Sequence, residues 1–103
     1  MWGERYRSAR RKQGITSLES EIVVYGTSWC GMTQIVRRYL DRQGLNYRYL
    51  DIEEDPDAEN QLRWITGGYK NHPTVVIDGQ VLIEPEVDEL QAALIENGYI
   101  HSA

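Results

Sequence analysis

A short apolar run followed at once by an amphipathic helix constrains this fold more than any other feature of the sequence. Residues 22–25 are Ile-Val-Val-Tyr, a composition typical of a strand with both faces covered, and Gly26 ends the run. From Met32 to Gly44 the pattern changes to that of a helix with one apolar face. The predicted apolar face consists of Ile35, Val36, Tyr39 and Leu40. Residues 45–50 then alternate apolar and polar side chains and predict a second strand, which the crossover makes parallel to the first.

The next segments predict a second helix and a hairpin. An acidic turn at 51–57 suits the start of a helix that ends at Gly67. Residues 74–77 form a third strand, and Asp78-Gly79 is a strong signal for a tight hairpin into a fourth strand at 81–83.

A last helix completes the predicted order of elements. It opens at Pro85-Glu86 and ends near Gly98. Its predicted apolar face consists of Val87, Leu90, Ala93 and Leu94. The chain is therefore expected to be an α/β protein of order β-α-β-α-β-β-α, with a four-stranded mixed sheet flanked by three helices.

Composition fits one compact domain of 103 residues and excludes several classes of protein. The single cysteine excludes an internal disulfide and any all-cysteine metal site within one chain. Residues 1–20 carry five Lys/Arg against two Glu, whereas residues 21–103 carry six against fourteen acidic residues. We expect a basic, partly disordered extension at 1–20 and a domain at 21–103, with no nucleic acid as main partner. No apolar run approaches the ~20 residues of a membrane span, so we expect a cytoplasmic protein.

The element order places Cys30 between the first strand and the first helix. Unpaired backbone N–H groups and the positive end of the helix dipole lie at this position, so the pKa of the thiol should fall. Functional sites of open α/β sheets also gather at the carboxyl ends of strands. Cys30 is therefore predicted to be a reactive thiol and not a small buried hydrophobe.

Two segments resemble the glutaredoxin family of the thioredoxin fold. Residues 24–31, Val-Tyr-Gly-Thr-Ser-Trp-Cys-Gly, are similar to its strand, aromatic residue and Cys-x-x-Cys, and are closest to mycoredoxins of that family. Residues 67–75 resemble the family's Gly-Gly…Thr-Val-Pro loop. The similarity covers residues 21–97, and it implies a thioredoxin-like fold and the exchange of thiols and disulfides.

The resemblance also assigns roles to residues outside the cysteine loop. It implies that Pro73 is cis and turns the backbone of His72 toward a substrate, although a strand-entry proline is the alternative. It places Val87 and Asp88 at the helix start that holds the γ-glutamyl carboxylate of glutathione, a site suited to anions. Here the family's Gly-Gly is replaced by residues 84–86, Glu-Pro-Glu, and the added carboxylates should weaken glutathione binding.

Thr33 stands where dithiol members of the family have their second cysteine. A monothiol route remains, in which Cys30 attacks a mixed disulfide between a protein and a small thiol. The Thr33 hydroxyl is a candidate donor to the sulfur or, alternatively, a first-turn polar residue that bonds the backbone; the sequence leaves open whether it is native or engineered. Trp29 would flank the groove or pack on the sheet, and His72 is a candidate acid/base partner although no spacing aims it at Cys30.

The sequence thus predicts a monothiol oxidoreductase with catalytic Cys30, no tightly bound cofactor and no metal ligands. The predicted co-substrate is glutathione or mycothiol, the partners are oxidised client proteins, and the chain is expected to be a monomer. Lys70 would pair with a ligand carboxylate or simply be solvated. The residues expected to bind the small thiol are Trp29, Thr33, Lys70, His72, Pro73, Val87 and Asp88.

Two other functions stay open at this point. Cys-Gly-Met-Thr at 30–33 is chemically similar to the Cys-Gly-Phe-Ser of glutaredoxins that carry an iron–sulfur cluster between two protomers and two glutathiones. Against this, the chain lacks that group's lysine before the cysteine and its Trp-Pro before the proline loop. A thioredoxin-fold binding protein that has lost catalysis is the third reading.

Overall fold

The structure is a computed structural model that describes residues 21–101. The predicted extension at 1–20 lies outside the described residues. Within them, three helices and four strands follow the predicted order. The elements are β1 (Ile22–Gly26), α1 (Gly31–Arg42), β2 (Arg48–Asp51), α2 (Pro56–Thr66), β3 (Thr74–Ile77), β4 (Gln80–Ile83) and α3 (Val87–Glu96).

The four strands form one mixed sheet in the order β2-β1-β3-β4. β1 is parallel to β2 and antiparallel to β3, with Val24 opposite Val75. β3 and β4 are antiparallel. Every residue of β1 is buried, which confirms the expectation that both faces of this strand are covered.

The two faces of the sheet carry separate hydrophobic clusters, because alternate side chains of β1 point to opposite sides. Ile22 and Val24 pack with buried residues of α1 and α3. Val23 and Tyr25 pack on the other face with Ala58 and Leu62 of α2 and with Ile52. The helices are thus divided two and one across the sheet, and the α/β prediction is confirmed.

The hairpin between β3 and β4 turns at Asp78-Gly79 as predicted. Both residues have positive φ, 51° and 90°, as a two-residue turn of the right twist requires. The Asp78 carboxylate also accepts hydrogen bonds from the Glu21 N–H (2.9 Å) and the Tyr99 hydroxyl (2.6 Å). One side chain in the turn therefore joins the start of β1 to the segment after α3.

Three details differ from the sequence predictions. β2 begins at Arg48 and not at residue 45, because its pairing with β1 starts at that residue; Leu45 and Tyr47 nevertheless pack on the core. Ile35 and Val87, both expected on buried helix faces, are 42% and 39% exposed. The buried face of α1 instead continues through Thr33, which the apolar pattern could not include.

Candidate active site

Cys30 is the N-cap residue of α1 and lies directly after the loop that follows β1. Its N–H donates to the Thr27 carbonyl (3.3 Å), and its carbonyl accepts from the Gln34 N–H (3.2 Å). The Gln34 side chain donates to the Ser28 carbonyl (3.0 Å), which ties the loop to the first turn of the helix. The half-buried thiol is therefore held at the end of a helix where backbone N–H groups lack intrahelical partners.

The pKa of the Cys30 thiol is lowered from 9.0 to about 7. Burial alone raises this pKa, but the Thr33 hydroxyl and N–H, the His72 side chain and the Met32 N–H are donors near the sulfur, and their effects together outweigh that of burial. A thiolate that accepts hydrogen bonds from such donors is favoured over the thiol. About half of the Cys30 sulfur is thus in the nucleophilic form near neutral pH.

Thr33 lies completely buried beneath the cysteine loop. Gly26, the last residue of β1, packs so closely on it that an added Cβ would lie 2.5 Å from Cγ2 and 2.6 Å from Oγ1 of Thr33. The Thr33 hydroxyl has no hydrogen-bond partner of ordinary length and angle within residues 21–101. The hydroxyl is therefore a donor near Cys30 with no competing acceptor, and it can donate a hydrogen bond to the sulfur when Cys30 is a thiolate.

Trp29 does not pack on the sheet. Its indole is 65% exposed, and its Nε1–H donates to the Glu53 carboxylate at 2.8 Å. The edge of the ring meets His72 in a T-shaped contact, with centroids 5.5 Å apart and planes at 86°. The structure therefore brings Trp29 and His72 together beside Cys30, as a wall of the site.

His72 contributes to the site despite the absence of any sequence spacing that would aim it at the cysteine. Its side chain lies close enough to the Cys30 sulfur to lower the pKa of the thiol, and its buried Nδ1 has no hydrogen-bond partner of ordinary geometry among the described residues. The His72–Pro73 peptide bond is cis, as the family resemblance predicts. The proline loop thus places a histidine ring, and not only a backbone group, against the thiol.

Comparison with known proteins agrees with this geometry. The family model described as glutaredoxin matches residues 22–82. A protein of Mycobacterium tuberculosis that carries the name glutaredoxin is 31% identical over 80 residues, which are 77% of this chain and 95% of the relative. The chain belongs to the glutaredoxin family.

Solved structures support the same family and fold. The crystal structure of the thioredoxin-like protein BC3987 has a TM-score of 0.65 at 33% identity, over 70% of this chain and 97% of that one. A buckwheat glutaredoxin in complex with glutathione has a TM-score of 0.60 at 25% identity, over 82% of this chain and 86% of that one. Family and fold together support thiol–disulfide exchange chemistry in general.

In this glutaredoxin the start of α3 is already occupied by the chain's own carboxylates. The Glu86 N–H donates to the Glu89 carboxylate (2.9 Å), and the Glu89 N–H donates to that of Asp88 (2.9 Å). Val87 and Asp88 are both exposed. An incoming anion would have to compete with these internal acceptors for the helix N–H groups.

The segment before α3 is nevertheless joined to the proline loop. The Glu84 N–H donates to the Pro73 carbonyl (2.8 Å), and the Asn71 side chain donates to the Glu84 carboxylate (2.6 Å). Glu84 adopts a positive φ of 49° at this bend. The Glu84 carboxylate, one of those by which the sequence departs from the family's Gly-Gly, is thus attached to the proline loop.

The Lys70 ammonium group forms an ion pair with a residue of α2. Its Nζ lies 3.3 Å from the Glu59 carboxylate, which Arg63 also contacts at 3.3 Å. The hydrogen bond from Lys70, together with that from Arg63, lowers the pKa of Glu59. The cation expected for a ligand carboxylate is therefore paired within the protein, in an exposed ion pair that a ligand could exchange at small cost.

Two features are absent from residues 21–101. No group of three or more His, Cys, Asp or Glu side chains in this region is arranged to hold a metal ion. No helix described here is long and apolar enough to span a bilayer.

Glu53 is the residue of this site that sequence reasoning missed. It belongs to the acidic turn that the sequence assigns only to the start of α2. Its contact with Trp29 joins residues 24 positions apart, and no local pattern indicates such a pair.

Proposed function

We propose that this glutaredoxin is a monothiol oxidoreductase that reduces mixed disulfides between client proteins and a low-molecular-weight thiol. The observation that carries the proposal is the half-exposed Cys30 at the start of α1, with a pKa of about 7 and with Thr33 beneath it in place of a second cysteine. A single activated thiol can exchange disulfides, but it cannot form a disulfide within its own chain.

The proposed reaction has two exchange steps that balance in atoms and electrons. The Cys30 thiolate attacks the small-thiol sulfur of the mixed disulfide, forms a new disulfide with it, and releases the client thiolate, which takes a proton. The thiolate of a second small thiol then attacks the small-thiol sulfur bound to Cys30. This step yields the disulfide of two small thiols and regenerates the Cys30 thiolate.

His72 and Thr33 have stated roles in these steps. Both offer hydrogen bonds to the Cys30 sulfur, so both stabilise it as attacking thiolate and again as leaving group in the second step. Pro73 and Trp29 are proposed to contact the small-thiol portion of the mixed disulfide. Neither the donor role of His72 and Thr33 nor the contact role of Pro73 and Trp29 requires a metal ion.

The proposed small thiol is mycothiol in preference to glutathione. Glutathione carries two carboxylates, whereas the start of α3 is filled by internal carboxylates and Lys70 is paired with Glu59. Mycothiol has no carboxylate to place there. If glutathione is used, Lys70, Val87 and Asp88 are the residues proposed to bind it, with Lys70 exchanging its partner.

The test compares deglutathionylation with demycothiolation of one client protein under matched reducing systems. Turnover is followed for the wild type and for Cys30→Ser, with circular dichroism to show that both are folded. Cys30-dependent turnover with either thiol supports the proposal, and the higher kcat/KM identifies the thiol. Absence of turnover with both thiols in the folded wild type would refute it.

The same preparations discriminate the alternatives. A brown protein with visible absorbance after anaerobic purification, eluting as a dimer, would favour an iron–sulfur carrier to which each protomer contributes Cys30. A colourless, inactive monomer would favour a binding protein. We propose a colourless, active monomer of the cytoplasm.

A further inference from the structure

We propose that Glu53 is a positioning residue that holds the Trp29 indole as a fixed wall beside Cys30, so that a substrate meets this wall already ordered. The inference rests on the proposed function and deepens it. It starts from one contact, the 2.8 Å hydrogen bond from the Trp29 Nε1–H to the Glu53 carboxylate. Nothing in the exchange chemistry itself requires this bond.

The Trp29 indole is largely exposed to solvent, so packing alone does not fix its position. The side chain is 65% exposed and follows Ser28, which is also exposed. Its edge-on contact with His72 fixes one side of the ring. The bond to Glu53 fixes the indole nitrogen, so the two contacts together define both the position and the rotation of the ring.

Glu53 can do this because its own backbone is held in place. The Asp51 carboxylate at the end of β2 accepts the Glu53 N–H at 2.9 Å and the Glu54 N–H at 3.3 Å. The Ile52 N–H donates to the carbonyl of Gly26 at 3.0 Å. The turn that carries Glu53 is thereby attached to the end of β1, from which the cysteine loop also departs.

A fixed wall lowers the cost of binding. A substrate that packs on a mobile indole must first order it, and ordering one long side chain weakens binding by about twofold to tenfold. Loss of Glu53 should therefore act mainly on substrate binding.

The experiment isolates Trp29 as a spectroscopic probe. The chain has three tryptophans, so Trp2→Phe with Trp64→Phe leaves Trp29 alone, and Trp64 is 86% exposed and remote in sequence. In this background we compare Glu53→Ala and Glu53→Gln. Glu54→Ala is the matched control, because it removes a carboxylate from the same turn while leaving the bond to the indole intact.

The expected results are a lower fluorescence anisotropy and stronger acrylamide quenching of Trp29 in Glu53→Ala, with Glu54→Ala unchanged. Glu53→Gln keeps an acceptor oxygen and should lie between the two. With a mixed-disulfide substrate, Glu53→Ala should raise KM by about twofold to tenfold at nearly constant kcat. In a Trp29→Phe background, which lacks the N–H donor, Glu53→Ala should change KM no further.

Two results would overturn the inference. Equal anisotropy and quenching in Glu53→Ala and Glu54→Ala would show that the carboxylate does not hold the ring. A rise in KM that persists in the Trp29→Phe background would show that Glu53 acts by another route. The fluorescence arm needs no turnover, so failure of the proposed reaction would leave the positioning role separately decided.

Discussion

Replacing Thr33 by valine should raise the pKa of Cys30 while leaving the fold intact. Valine matches the shape of threonine beside Gly26 but lacks the hydroxyl, which as a donor near the Cys30 sulfur has the largest of the effects that lower this pKa. A hydrogen bond to a charged group contributes about 1.5 kcal/mol net, which corresponds to about one pKa unit. We therefore expect the pKa to rise from about 7 to about 8 in Thr33→Val.

The assay is the rate of iodoacetamide alkylation as a function of pH. Only one cysteine is present, so the measured rate reports Cys30 alone. At pH 7 the thiolate fraction should fall from about one half to about one tenth, and alkylation should slow by about fivefold. In the wild type the rate should rise with pH and level off above the pKa of about 7, two units earlier than for an unperturbed thiol of 9.0.

Thr33→Ser is the matched control, because it keeps the hydroxyl and removes only the methyl group. Its alkylation midpoint should stay near that of the wild type. At about pH 5, where Cys30 is protonated, the hydroxyl is without a partner among the described residues, so Thr33→Val should there be as stable as the wild type or more stable, by up to about 1 kcal/mol. Above the pKa of about 7 the variant should instead be the less stable of the two, because it loses the interaction with the thiolate. A midpoint in Thr33→Val equal to that of the wild type would show that this hydroxyl does not serve the thiolate.

Two further predictions concern stability. Gly26→Ala should lower the free energy of unfolding by about 1–3 kcal/mol, because the added Cβ would lie 2.5 Å from the Thr33 side chain. Gly31→Ala is the control and should not lower it, since nothing lies within 4 Å of the added atom. Equal urea midpoints for the two variants would contradict the packing argument. Asp55→Ala should lower the free energy of unfolding by about 1 kcal/mol, since the Asp55 carboxylate caps α2 by accepting hydrogen bonds from two backbone N–H groups at 3.0 and 3.3 Å. In the same urea titration, Asp55→Asn should recover most of this loss.

The order of elements was predictable because each local signal agreed with the global arrangement. The all-apolar β1 has to be a central strand, and the Asp78-Gly79 pair has to turn tightly. Once these are fixed, Cys30 can lie only at the start of α1. The position of Cys30 was therefore predictable from topology, and the lowering of its pKa follows in part from the Met32 and Thr33 N–H groups at that helix start.

The surroundings of the thiol were less predictable, because they depend on contacts between distant parts of the chain. The bond between Trp29 and Glu53 joins residues 24 apart, and the pairing of Lys70 with Glu59 depends on how α2 approaches the proline loop. Ile35 was wrongly assigned to the buried face of α1, since helical spacing gives a periodicity but not the width of the covered stripe.

The Asp78 carboxylate, which accepts hydrogen bonds from both Glu21 and Tyr99, has a consequence for how the domain opens. α3 ends three residues before Tyr99, and β1 begins one residue after Glu21, so detachment of the helix end would loosen the central strand of the sheet. Proteins usually exchange amide hydrogens through partial openings of separate units. In this domain the slowest-exchanging amide hydrogens of α3 and of β1 should report the same free energy of opening, because the two elements open as one cooperative unit.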